Sequence, residues 1–168
     1  MNSQREVIYK RRRNALIGDR LSLDISNMIY DTIYSILEKN KNLQNIESLK
    51  SDILMTFSDE NLMQYISLEK IENSLESLAL KLTEEIQNNY NKKLLRIRDE
   101  AFPVIERIYE SKDNNYHNIL IPFSDGVNTI NIVCDLEQAI NDNGQSIITS
   151  FEKGVVLSHI DKNWKEHL

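Results

Sequence analysis

Phe151-Glu152-Lys153-Gly154-Val155-Val156-Leu157-Ser158-His159-Ile160-Asp161-Lys162-Asn163-Trp164-Lys165-Glu166-His167-Leu168 is the stretch whose reading decides the fold. Leu157, Ile160, Trp164 and Leu168 recur at steps of three and four residues, with Phe151 about two turns earlier, which puts them on one face of an α-helix. Lys153, Asp161, Lys162 and Lys165 surround that face, so the helix is amphipathic and needs a partner for its apolar stripe. Gly154 costs about 1 kcal/mol relative to Ala inside a helix, and close packing is the expected reason for it. No Gly, Asn or Pro stop signal follows the stripe, so the helix is expected to run on past Leu168.

The other end carries a second helix. Residues 3–17 have helical spacing and meet a stop signal at Gly18. Ser3 and Glu6 have the spacing of a capping box. In the first twenty residues Arg5, Lys10, Arg11, Arg12, Arg13 and Arg20 stand against Glu6 and Asp19, a net +4 in a chain of net −6. Such a basic segment suits an acidic surface or anionic lipid. It equally suits a solvated face with Arg stems lying over apolar neighbours, which is the reading kept.

Between the ends the periodicity is helical with one exception. A helix is expected over 24–38, with Asp24 as N-cap and Ile25, Met28, Ile29, Ile33, Ile36 and Leu37 inward. A short helix follows with Ile46, Leu49, Ile53 and Leu54 on one side, and Ser58-Asp59 is expected to break it and to cap the next short piece at about 62–66. From Ser67 a long stripe of Ile71, Leu75, Leu78, Leu82, Ile86, Tyr90, Leu94, Ile97, Ala101, Ile105 and Ile108 predicts one long helix with coiled-coil-like spacing. Pro103 is expected to kink or break it near 100–102. The exception is Asn118 to Cys134. Two apolar strands flank Asp125-Gly126, which predicts a β-hairpin with a two-residue type I′ turn. Pro122 assigns the first strand to an edge. The hairpin should lie on the helices of the middle segment, 19–146, through Ile119, Ile121 and Phe123, or through Ile130 and Ile132. Asp135 should cap a short helix closed by Gly144. The fold class is therefore mainly α, an antiparallel helical bundle with one long helix and an inserted β-hairpin.

Composition narrows the function. The acidic balance argues against nucleic acid as partner. No apolar run reaches the ~20 residues of a transmembrane helix, and the N-terminus has no signal-peptide pattern. One cysteine, Cys134, fits a reducing compartment. No phosphate-binding Gly-rich loop exists, because Gly18, Gly126, Gly144 and Gly154 stand far apart and none precedes a Lys. His117, His159 and His167 lack metal-ligand spacing. Cys134 reads as a small apolar strand residue. No catalytic, cofactor-binding or metal site is expected.

Two terminal motifs nevertheless point to a family. Phe151 to Leu157, then Ile160-Asp161, then Trp164 to Leu168 resemble the start of the second scaffold segment of SecA, the ATP-driven motor of bacterial preprotein export. Asn2 to Tyr9 with Arg11-Arg12-Arg13 resemble the end of that family's long scaffold helix. The resemblance implies a piece of a larger motor. Residues 1–18 and 147–168 would be helical scaffold stubs, and 19–146 a helical wing domain carrying the hairpin insertion at about 117–135. Residues Val7, Tyr9, Phe151, Leu157 and Trp164 would face other domains of the motor. The two stubs would pack antiparallel. ATP and magnesium would belong to the parent and not to this piece. Its partners would be other motor domains, unfolded preprotein and, through the parent, the SecYEG channel. It would be cytoplasmic and peripheral to the inner membrane. Judged from composition alone, a free-standing helical interaction adaptor is the competing reading.

Overall fold

The computed structural model describes residues 2–17, 20–41, 46–67, 74–111, 117–124 and 126–166. Its elements are α1 (Asn2–Ile17), α2 (Leu21–Asn40), α3 (Ile46–Phe57), a 3-10 helix (Glu60–Tyr65), α4 (Leu75–Glu110), β1 (Asn118–Ser124), β2 (Thr129–Asp135), α5 (Leu136–Asn141) and α6 (Gln145–Glu166). The architecture is mainly helical, with one long helix and one antiparallel two-stranded sheet, as the periodicity implies. Two compact units form. One is Ser22–Lys92; the other joins Met1–Leu21 to Lys93–Leu168.

In the unit 22–92 the core is built by helical stripes. Ile33 and Leu37 of α2, Leu49 and Ile53 of α3, Leu62 of the 3-10 helix, and Leu78, Ala79, Leu82 and Ile86 of α4 are buried together. Met28 and Leu54, expected inward, are 52% and 38% exposed; each lies off the centre of its helix's stripe. Asp24 is not a cap, since α2 already begins at Leu21. Helix α3 ends where Ser58 takes a φ of +52° and its N–H bonds to the Leu54 carbonyl at 2.8 Å, the left-handed stop usually given to Gly. Asp59 then caps the 3-10 helix by accepting from the Asn61 N–H at 3.0 Å. Polar links add direction to the packing. The Ser26 hydroxyl donates to Gln87 Oε1 at 2.8 Å, and Asn89 donates to Asp59. At the end of α2, the Asn40 amide donates to the Ile36 carbonyl at 2.9 Å and to Asp52 Oδ2 at 3.1 Å.

Helix α4 starts later than expected. Its N-cap is Ser74, whose hydroxyl accepts from the Ser77 N–H at 3.1 Å; Ile71 lies outside the described residues. The helix also runs unbroken through Pro103. Pro103 and Asp99, whose carbonyl loses its intrahelical donor there, are both exposed, so water can replace the missing bond.

In the other unit the hairpin register pairs Ile119 with Cys134, Ile121 with Ile132 and Phe123 with Ile130. Both candidate faces of the hairpin are thus one face, and it is the covered one. Leu120 and Val133, paired on the opposite face, are 68% and 59% exposed. Ser124 pairs with Thr129, so four residues span the connection instead of the two of a type I′ turn. Asp125 lies outside the described residues. Gly126 keeps a φ of +91°, and the Ser124 hydroxyl accepts from its N–H and donates to the Asn128 carbonyl, both at 3.1 Å. Asp135 caps α5 by accepting from the Gln138 N–H at 2.7 Å. Gly144 closes the following turn with a φ of +82°, its N–H bonded to the Ala139 carbonyl at 2.8 Å. Ile105, Cys134, Leu136, Ala139 and Ile147 form the core here.

Candidate functional site

The surfaces that matter are built on α6. Its first half packs on the hairpin. The Phe123 and Phe151 rings meet edge to face, their centroids 4.8 Å apart, a favoured aromatic geometry. One turn on, a Cβ on Gly154 would lie 2.0 Å from Ile132 Cδ1. The glycine is therefore a notch into which Ile132 fits, which explains an otherwise costly residue in a helix. The unusual residue in the sequence marks the close approach.

Helix α6 also packs on α1. Arg12 Nη1 and Asp161 Oδ1 stand 2.9 Å apart across this pair, with both side chains well exposed, so the ion pair orients more than it stabilises. Ala15 is buried, and a small side chain suits a close helix–helix contact. On the rest of α1, Val7 is 52% and Tyr9 57% exposed. Phe151, Leu157 and Trp164 are half-buried. Phe151 finds its cover in Phe123 of the same unit, whereas Val7 and Tyr9 present apolar surface outward. Lys10 and Arg13 are exposed beside them. The five residues thus do not converge on a pocket. They spread over the α1 and α6 surfaces.

Charged side chains of the described residues are scattered over the surface or paired along and across helices. Among the described residues no group of three or more His, Cys, Asp or Glu side chains is arranged to hold a metal ion. Cys134 is fully buried in β2, and burial raises its thiol pKa although Ser146 and Ser150 pull it down; such a thiol is unreactive. His117 and His159 are exposed; His167 lies outside the described residues. Two charge clusters lie in the unit 22–92, while Arg96–Glu100 and Arg98–Asp99 pair on the surface of the other unit. Hydrogen bonds from Asn40 and Lys39 hold the Asp52 carboxyl below its ordinary range. Lys81 lies 3.0 Å from both Glu84 and Glu85 and 5.7 Å from the centre of the Tyr65 ring. The Lys81 hydrogen bond lowers the Glu85 pKa, and desolvation raises that of Tyr65. Lys39 and Lys81 with their acidic partners sit at the surface, where such clusters orient helices. Sequence reasoning missed the Asn40–Asp52 pair, because its members are twelve residues apart on different helices.

The SecA Wing and Scaffold domain family matches residues 1–168. The protein translocase subunit SecA of Flavobacterium psychrophilum is 39% identical over 168 residues, and that of Christiangramia forsetii 38%. The SecA of Azobacteroides pseudotrichonymphae is 44% identical over 172 residues. Each alignment covers 100% of this chain and 15% of the relative, so the chain spans a minor part of the relatives' length. No solved structure matches the chain. Among the described residues, no helix is long and apolar enough to cross a membrane. The terminal motifs and the whole-chain match agree, and the chain belongs to the SecA family, in its wing and scaffold domain.

Proposed function

We propose that this chain is the non-catalytic wing-and-scaffold part of a SecA-type motor, which couples ATP hydrolysis to preprotein translocation across the bacterial inner membrane. Residues 1–18 and 147–168 are the scaffold stubs, packed antiparallel, and 19–146 is the wing. ATP and magnesium act in the parent's nucleotide-binding domains. The stubs transmit movement from those domains to the wing, which helps enclose unfolded preprotein next to the SecYEG channel. The parent works in the cytoplasm, docked peripherally on the inner membrane.

The observation that carries this reading is the exposed apolar surface of α1, Val7 and Tyr9, on a helix that packs on α6 and is joined to it by the Arg12–Asp161 ion pair. Apolar side chains beside Lys10 and Arg13 suit a neighbouring protein domain better than open water. The same surface would suit an independent adaptor, so the test must involve the parent. In the full-length protein, Val7→Asp with Tyr9→Ser should abolish preprotein-stimulated ATP hydrolysis while the isolated chain keeps its melting temperature. Full coupling in that variant would overturn the assignment of this surface. Isothermal titration of the isolated chain with Mg·ATP should show no saturable site; a defined site would overturn its non-catalytic role.

A further inference from the structure

The turn between α5 and α6 holds the chain's one Asn-Gly dipeptide, Asn143-Gly144. Both residues have left-handed backbones, with φ of +52° and +82°. The glycine is obligatory for a second reason. A Cβ there would lie 2.9 Å from Arg98 Cγ, 3.0 Å from Phe102 Cδ2 and 3.3 Å from Ile147 Cδ1. The asparagine suits its own position, because Asn tolerates the left-handed region better than most side chains. The fold has thus selected, for backbone reasons alone, the dipeptide whose side-chain amide is most open to attack by the following backbone nitrogen.

We infer that Asn143 is a spontaneous deamidation site that the folded turn keeps shut and that local opening of the turn releases. In the reaction the Gly144 nitrogen loses its proton and attacks Asn143 Cγ. The bond from Cγ to the side-chain nitrogen breaks, and ammonia leaves. The resulting succinimide is opened by water at either carbonyl, which leaves aspartate or isoaspartate at position 143. No oxidant, metal or enzyme is required.

The structure opposes the first step. The Gly144 N–H is bound to the Ala139 carbonyl at 2.8 Å, and the Asn143 N–H to the Ile140 carbonyl at 3.3 Å. A nitrogen whose proton is held in this way does not readily give it up, so the Gly144 N–H must first be released from the Ala139 carbonyl. Asn143 itself is exposed, so the backbone supplies the protection, not burial of the amide. Modification is then limited by the fraction of time the turn is open, as hydrogen exchange is. It is also irreversible. Isoaspartate adds a methylene to the main chain within the turn, and the two capping bonds cannot both reform. The neighbouring Asp142, whose carboxylate accepts from the Ser146 N–H at 2.9 Å to cap α6, would be displaced with them. Each opening therefore risks permanent loss of the α5–α6 corner that supports the hairpin.

Incubation at neutral pH, native and in urea, with peptide mapping and isoaspartyl methyltransferase labelling, tests this. Loss of ammonia at Asn143 should be at least ~10-fold slower in the native chain, in proportion to how rarely the turn opens. In urea, Asn143→Gln should remove the product from that peptide, and wild-type chains modified in urea should melt at a lower temperature after refolding. Equal rates in native buffer and urea, or product persisting in Asn143→Gln, would overturn the proposal.

Discussion

Residues 22–92 hide a continuous stripe from each helix in one core, from Ile33 and Leu37 through Leu49, Ile53 and Leu62 to Leu82 and Ile86. The unit made by 1–21 and 93–168 concentrates its smaller core where α4, the hairpin, α5 and the start of α6 meet, around Ile105, Cys134, Leu136 and Ile147. Helix α1 gains little from that core: among its described side chains only Ala15 is buried. The difference separates a region stabilised by its own helices from one whose outer helix leaves apolar surface for something else to cover. The chain spans 15% of its relatives' length, and under the proposed function the other domains of the motor are what covers that surface.

The largest expected effect is in the first region. Ile53→Ala removes a side chain with no exposure and should cost about 2–5 kcal/mol in chemical denaturation, because the lost methylenes leave a cavity. Leu120→Ala, on the open hairpin face, should stay within about 0.5 kcal/mol. Comparable losses at both positions would erase the contrast.

Next comes the notch on α6. Gly154→Val should destabilise by about 1–3 kcal/mol, through overpacking against Ile132. Gly154→Ala should cost less, since the contact is with the tip of one side chain and Ala favours the helix. Ile132→Val, which removes the clashing methyl, should partly restore Gly154→Val. A double-mutant cycle without coupling would show that the notch is not the reason for the glycine.

Acid should act mainly on residues 22–92. Asp52 and Glu85 both have lowered folded-state pKa values. The stability they contribute is fully present above the unfolded carboxylate pKa and is lost as pH falls below the ordinary carboxylate range through the lower folded values. Thermal melts at falling pH should show the loss in the wild type and less of it in Asp52→Asn with Glu85→Gln. An identical acid profile in that variant would remove these two groups from the account. The smallest effect belongs to the α1–α6 ion pair. Arg12→Ala should change stability by less than about 1 kcal/mol, and raised salt should shrink even that.

Much of this was legible in residues whose chemistry is local. Asp135 and Asp59 act as the caps their spacing announces, Gly144 stops a helix as expected, and alternating apolar residues place the hairpin. What was not legible depends on partners distant in sequence or on solvent. The loop of the hairpin is set by the Ser124–Thr129 pairing, which Asp-Gly chemistry alone does not determine. The start of α4 is fixed by one serine among several, and Pro103 is tolerated because it faces water. Gly154 was readable as a close approach, but Ile132 as the group that fills it was not. For the candidate surface, periodicity identified the helices α1 and α6. It could not reveal that Phe151 is covered within its own unit while Val7 and Tyr9 are left outward.

Hydroxyl-radical footprinting of the isolated chain and of the full-length protein tests the central claim most directly. Val7, Tyr9, Leu157 and Trp164 should lose reactivity in the full-length protein, while Met28 and Met55, exposed on the unit 22–92, change far less. Unchanged reactivity at Val7 and Tyr9 in the full-length protein would contradict the claim that this surface is completed by other domains of the motor.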